Sequence, residues 1–407
     1  MAKVTRLLTK LALILFGLLM GVIFAELALR VAGYSYPGFY MPDATRGHAL
    51  IPGMEGWYRK EGEAYVRINS AGQRDRERTK VKAADTIRIA VIGDSYAEAF
   101  QVPVEQAFWS IMEEKLCTSD SVPGKQIEVL NFGVSGYGTA SELLTLRERV
   151  WDYAPDIVLL AVTTNNDVVD NSRDLKKTDE MPYFVYRDGK LVLDDSFLHS
   201  RGFLLRQSKL GRFSRWIKDH SRFLQAINEA HHALKIRLAS SKSRHNTSSA
   251  EPPVTNFDVS ARSGELGTDN VVYVEPDNPV WNDAWLVTEG LILAMRDEVS
   301  ARGAKFVVVT LSNGPQVLPD PNARHAFMRR LGIEDLFYPD NRIRSLCLRE
   351  NIPVITLAPE LQAYAEKSGS FLHGFGSDLG NGHWNAVGHR VAGELIAQKL
   401  KDGVLGK

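Results

Sequence analysis

Ile87 to Ile92 (IRIAVI) is a short β-branched run that ends in Gly93 and gives way to a periodic stretch, Glu98 to Leu116, suited to a helix. The same strand–turn–helix unit recurs, and that recurrence constrains the fold more than any other feature. Buried-strand candidates follow at Ile127 to Asn131, Ile157 to Val162, Phe306 to Leu311 and Val354 to Leu357, with helical patterns at 139–152, 286–302, 340–350 and 388–401. Strands alternating with helices predict an α/β protein with a mostly parallel, doubly wound sheet. With 407 residues, 44% hydrophobic and 24% charged, the chain can fill one large core and is neither disordered nor a multi-span membrane protein. Its 49 basic residues balance 49 acidic ones, and no basic patch stands out, so nucleic-acid binding is not expected.

The N-terminus has a separate character. Leu11 to Ala25 (LALILFGLLMGVIFA) carries no polar side chain, follows Lys3, Arg6 and Lys10, and is extended past Glu26 by Leu27, Ala28 and Leu29. Nineteen helical residues span about 28 Å, close to the thickness of a bilayer's hydrocarbon layer. Residues 1–33 therefore read as a membrane anchor or a signal segment. The basic flank places the remainder on the far side, periplasmic or extracellular. Cleavage near Ala25 is the competing reading, giving a secreted protein.

Residues 34–84 lack sustained periodicity and read as a stalk or wrapping segment. The α/β domain occupies 85–171 and 283–407, and the alternation lapses over 172–282, which marks a lid-like insertion. Within it an apparent helical region runs from about 200 to 238, and 239–270, rich in Ser, Thr, Asn, Pro and Gly, is expected to be a flexible loop. Asn246-Thr247-Ser248 matches a glycosylation acceptor triplet, meaningful only in a eukaryotic secretory pathway. Trp281, Trp285, Tyr183 and Tyr186 are candidate sugar platforms, with core packing as the competing role. Cys117 and Cys347 stand in no metal-ligand spacing; they pair only if the compartment oxidises and the fold brings them together.

Four short blocks carry chemistry. Gly93-Asp94-Ser95 falls at the first strand's carboxyl end, where open α/β sheets bind ligands and where a serine can act as a nucleophile beside a helix N-terminus. Helix capping is the structural alternative for Asp94 and Ser95. Asn131 to Gly138 (NFGVSGYG) follows the second strand with three glycines, allowing a backbone N–H to face a ligand. Thr163-Thr164-Asn165-Asn166-Asp167 follows the third strand, where an asparagine amide can donate to an oxyanion. Gly382-His383-Trp384-Asn385 precedes the last helix and offers a loop histidine as base. No G-x-G-x-x-G follows the first strand, which argues against a dinucleotide site.

Taken together and in this order, the blocks resemble those of the SGNH hydrolase superfamily, the GDSL-like esterases and lipases. The matches are Gly93-Asp94-Ser95, Asn131 to Gly136, Asn166-Asp167 and His383-Trp384-Asn385, within about 87–171 and 286–401. The resemblance implies a flavodoxin-like three-layer α/β/α fold and Ser95 as nucleophile. It further implies an oxyanion hole from the Ser95 N–H, the Gly136 N–H and the Asn166 side chain, with His383 as base. Two positions depart from the pattern. Thr164 stands where a glycine is usual, and Gly380 stands where the triad aspartate is usual, three residues before the histidine. Asp378 is the nearest carboxylate and the expected acid; a backbone carbonyl in a Ser–His dyad is the alternative. The implied activity is hydrolysis of an ester, short-chain or acetyl, on a glycan or small alcohol, without cofactor or metal. O-acyl transfer to an extracellular polysaccharide uses the same residues, and an inactive envelope binding or assembly module is the third reading.

Overall fold

A computed structural model describes residues 2–118, 122–231 and 270–406, which form two units. The larger comprises residues 40–54, 58–118, 122–204 and 270–406; the smaller comprises residues 2–39, 55–57 and 205–231.

The larger unit is built on a five-stranded parallel sheet of β1 (Thr86–Gly93), β2 (Gln126–Asn131), β3 (Ile157–Thr163), β4 (Lys305–Leu311) and β5 (Val354–Thr356). The spatial order is β5-β4-β3-β1-β2, the flavodoxin-like order. Each strand lies within a residue or two of its expected bounds. Register pairs Val91 with Asn131, Gly93 with Ala161, and Thr163 with Leu311. The carboxyl ends of β1, β2 and β3, each followed by one of the polar blocks, therefore share one sheet edge.

Strand alternation sorts the core into two layers. Ala90, Ile92, Val158, Leu160, Val162 and Val308 face one side, under α2 (Thr139–Glu148), α3 (Pro279–Ala301) and α4 (Tyr338–Arg349). Ile89, Val91, Leu159, Ala161, Val307 and Val309 face the other, under α1 (Phe108–Thr118), α5 (Ala358–Ser368) and α6 (Ala386–Leu400). The result is a three-layer α/β/α fold. α1 buries Phe108, Trp109, Met112 and Leu116 along one helical stripe. Emptying one such site, for example Trp109→Ala, costs about 3–5 kcal/mol.

Several sequence expectations are corrected. The helix expected over 98–116 is interrupted: Ser95–Glu98 is one short turn, Ala99 turns left-handed (φ 55°), and α1 begins only at Phe108. α3 starts at Pro279 rather than 286, because Asn278 caps it and proline suits its first turn. Pro321–Leu331 and α5 were not anticipated as helices. Of the segment expected as a stalk or wrapping segment, residues 40–54 and 58–84 belong to the larger unit. Arg78 there donates to the Val129 carbonyl (2.8 Å), and the Asp75 carboxylate accepts from the Asn131 N–H (3.1 Å). That stretch wraps the sheet edge. Trp281, Trp285 and Tyr183 are buried and Tyr186 packs half-buried against the same core, so packing outweighs any role as sugar platforms. Cys117 lies on α1 and Cys347 on α4, on opposite faces of the sheet, and both are free thiols. Asn246 and nearly all of the 239–270 loop lie outside the described residues; Asn270 itself is buried at the start of a 3-10 turn.

In the smaller unit, the helix Ala2–Val31 is long and apolar enough to cross a bilayer, with a mean hydropathy of 2.5 in its most apolar window.

Candidate active site

Ser95 opens the short turn directly after β1. Asp94 caps it: its Oδ1 accepts from the Tyr96 N–H (2.9 Å) and the Thr163 hydroxyl (2.9 Å), while its Oδ2 accepts from Asn166 Nδ2 (3.1 Å). One buried carboxylate thus ties the serine block on β1 to the asparagine block on β3. Burial raises the Asp94 carboxyl above its ordinary range, against the pull of these donors. The remaining Asn166 amide hydrogen stays available to a ligand.

The glycine block is tied to the same turn through Glu98. Its Oε1 accepts from the Ser135 N–H (3.1 Å) and its Oε2 from the Tyr40 hydroxyl (2.8 Å). Burial pushes Glu98 up to about 7, and the Ser135 N–H, the Tyr40 hydroxyl and the charge of Arg74 oppose that rise. His48 braces the loop from outside, its Nε2 lying 2.8 Å from the Ser135 carbonyl. Among the described residues, neither the Ser95 N–H nor the Gly136 N–H has an acceptor within the chain.

His383 sits in a loop pinned on both sides. The Gly374 N–H donates to the His383 carbonyl (2.9 Å), the Asn385 N–H to the Leu372 carbonyl (2.9 Å), and the Tyr96 hydroxyl to the Gly382 carbonyl (3.1 Å). Trp384 is fully buried, donates its indole N–H to the Ser312 hydroxyl (2.8 Å) and meets Tyr96 and Phe108 edge-on. His373, held near 4 by burial, is neutral and contacts the Gly382 carbonyl through Nδ1 (2.7 Å). These contacts anchor the loop that carries the imidazole.

The imidazole spans two partners. His383 Nε2 is 2.7 Å from Ser95 Oγ, and Nδ1 is 2.5 Å from Glu61 Oε2. The other Glu61 oxygen accepts from the His383 backbone N–H (2.6 Å). Burial raises the Glu61 carboxyl, but the hydrogen bonds and charge of His383 outweigh it and hold the group below its ordinary range. An ionised Glu61 fixes the proton on Nδ1 and leaves Nε2 to accept from the serine.

The structure therefore brings Ser95, Asn166 and His383 together, and corrects the expected acid. Asp378 is exposed and accepts from Asn381 Nδ2 (2.9 Å), not from His383. The carboxylate at the histidine is Glu61, from the wrapping segment. Gly380 explains why no acid occupies the usual position: its φ of 93° disfavours any side chain, and an added Cβ would lie 2.7 Å from Leu318 Cδ2. Thr164, the other departure, is buried and its hydroxyl accepts from Asn313 Nδ2 (3.0 Å).

No protein-family model matches the chain. An arylesterase of Vibrio mimicus is 28% identical over 79 residues, 19% of this chain and 38% of that protein, so the match spans well under half of that relative. Among solved structures, an acetyl xylan esterase is 16% identical, covering 78% of this chain and all of that one at a TM-score of 0.38. A lipolytic protein of the G-D-S-L family from Desulfitobacterium hafniense is 12% identical, covering 77% and 99% at 0.34. In its four sequence blocks, their order and the strand ends that carry them, the chain resembles the SGNH hydrolases, the GDSL-like esterases and lipases.

Proposed function

We propose that the chain is a serine-dependent carboxylic ester hydrolase acting at the cell envelope, held there by its N-terminal helix, on short acyl esters of a glycan or small alcohol. The observation that carries this reading is the continuous contact from Ser95 Oγ through the His383 imidazole to Glu61, with spans of 2.7 and 2.5 Å. As Ser95 Oγ attacks the ester carbonyl, its proton passes to His383 Nε2, and Glu61 stabilises the imidazolium that forms. The Ser95 and Gly136 N–H groups and Asn166 Nδ2 donate to the tetrahedral oxyanion. Collapse breaks the bond to the alcohol, which leaves with the proton from Nε2. Water, deprotonated by the same nitrogen, then attacks the acyl-enzyme, frees the acid and restores Ser95. The basic flank Lys3, Arg6 and Lys10 supports placement of the larger unit outside the cytoplasm.

The test uses the full chain in detergent. Aryl acetate, butyrate and octanoate are compared in the parent, Ser95→Ala and His383→Ala, alongside fluorophosphonate labelling. Acetate turnover with label on Ser95, both lost in Ser95→Ala, supports the reading. A parent that neither turns over nor labels overturns it. Labelling with slow hydrolysis, accelerated by an added glycan acceptor, replaces hydrolysis with transfer.

A further inference from the structure

We infer that the amphipathic helix Lys209–His220 lies in the headgroup region of the bilayer that the N-terminal helix crosses, at the non-cytoplasmic interface. The inference rests on that helix being a membrane anchor.

At 100° per residue, Leu210, Phe213, Trp216 and Ile217 fall on one arc of the helix, and Arg212, Arg215 and Lys218 on the other. The apolar arc faces out: Leu210 is 71% exposed, Phe213 58% and Trp216 56%. Phe213 and Trp216 stack at 6.3 Å, and Trp216 stacks on His220 at 4.8 Å, giving a ring surface of the kind that favours membrane interfaces. Four basic residues against Asp219 alone make the segment cationic, complementary to anionic headgroups.

What selects a membrane over any other cover is the junction with the N-terminal helix. Glu26, the first charge after the apolar run, receives the Phe223 N–H (2.9 Å), the Arg222 N–H (3.1 Å) and the Ser221 hydroxyl (3.1 Å). Arg30 donates to the His220 carbonyl (2.6 Å). The chain leaving the helix is fastened to the same element, with the Gly38 N–H on Asp219 (2.9 Å) and the Tyr36 N–H on Gln225 (2.7 Å). The end of the amphipathic helix is thereby fixed at the depth where the spanning helix emerges. An exposed Leu-Phe-Trp face at that depth meets lipid.

The test places single cysteines in the full chain with Cys117→Ser, leaving only buried Cys347 as a native thiol. Leu18→Cys, Leu210→Cys, Phe213→Cys and Lys218→Cys are labelled with a nitrobenzoxadiazole dye and reconstituted in phosphatidylcholine–phosphatidylglycerol vesicles. Quenching by shallow lipid nitroxides at 210 and 213 is expected to exceed that at 218 by about threefold, as for an apolar face buried to headgroup depth. Position 18 should be quenched by deep nitroxides. Deep quenching at 18 with equal quenching at 213 and 218 overturns the inference and leaves the anchor standing. Shielding of 213 from aqueous iodide without lipid quenching also overturns it, in favour of a protein cover such as a second copy. Failure at 18 removes the anchor and the inference with it.

Discussion

Glu61→Gln tests the site most sharply, because it keeps the side chain's size and removes only its charge. The two Glu61 oxygens have different partners: Oε1 takes the His383 backbone N–H and Oε2 faces Nδ1. A backbone N–H cannot reverse, so the glutamine carbonyl must stay on it and the amide NH2 must face Nδ1. That geometry favours the tautomer with its proton on Nε2, which cannot accept from Ser95. The imidazolium of the transition state also loses its counter-charge. At an effective dielectric of about 20, suited to a site about a quarter exposed, unit charges about 4 Å apart attract by about 4 kcal/mol. Together these effects predict a fall in kcat of about a thousandfold to ten-thousandfold, or about 4–5.5 kcal/mol of barrier, with KM little changed. The assay is steady-state hydrolysis of an aryl acetate, with circular dichroism confirming the fold. Asp378→Ala in parallel should stay within about twofold, since it lacks contact with the reacting groups. Retention of activity in Glu61→Gln, or loss of it in Asp378→Ala, would refute the assignment of Glu61.

The other expectations concern the loops around the triad and the acids beneath it. Asn166→Ala should lower kcat about a hundredfold to a thousandfold with KM nearly constant, because it removes the amide hydrogen proposed to donate to the oxyanion together with the bond that holds that amide on Asp94; an effect confined to KM would point to ground-state binding. Gly382→Ala should lower activity, since the residue sits at φ 70° and the added Cβ would lie 2.2 Å from Glu61 Oε1; unchanged turnover would mean the carboxylate can move freely. Glu142 is fully buried, and burial first, then the charges of Asp94 and Asp170, raise it well above 4.5. A carboxyl whose folded pKa is raised leaves stability undiminished below the unfolded pKa and lowers it as pH rises above that value, by up to about 1.4 kcal/mol per pH unit. Glu142→Gln should therefore gain melting temperature relative to the parent between pH 5 and 8, and a pH-independent difference would exclude the buried acid as the cause. Thiol titration of the folded chain should count Cys117 and not Cys347, whose pKa burial raises to about 12; two equivalents would mean the α4 face opens.

The strands were legible because buried parallel strands are short, apolar and β-branched, and the first three each run into a block of polar and glycine residues that breaks the apolar run. Ser95, Asn166 and His383 were legible for the same reason: they are polar groups at strand ends or before a capped helix. Glu61 was not. It is 322 residues from His383, in a stretch without periodicity, and its only local mark is Gly62 beside it. A long-range contact set by the wrapping of an irregular segment leaves no trace in spacing. Asp378 was favoured through proximity in sequence, which the left-handed turn at Gly380 makes irrelevant. The helix Pro321–Leu331 did carry a signal, Asp320 before Pro321, with the Asp320 side chain accepting the Asn322 N–H (2.9 Å). The break at Ala99 and Pro103 instead reflects the demands of the serine turn over local propensity.

The chain order of the relay, Glu61 then Ser95 then His383, bears on biosynthesis. The acid and the serine are translated first, and the histidine follows the serine by 288 residues. Until His383 is made, Ser95 lacks the imidazole proposed to accept its proton, so a product terminated between the two would carry the serine without the proposed relay.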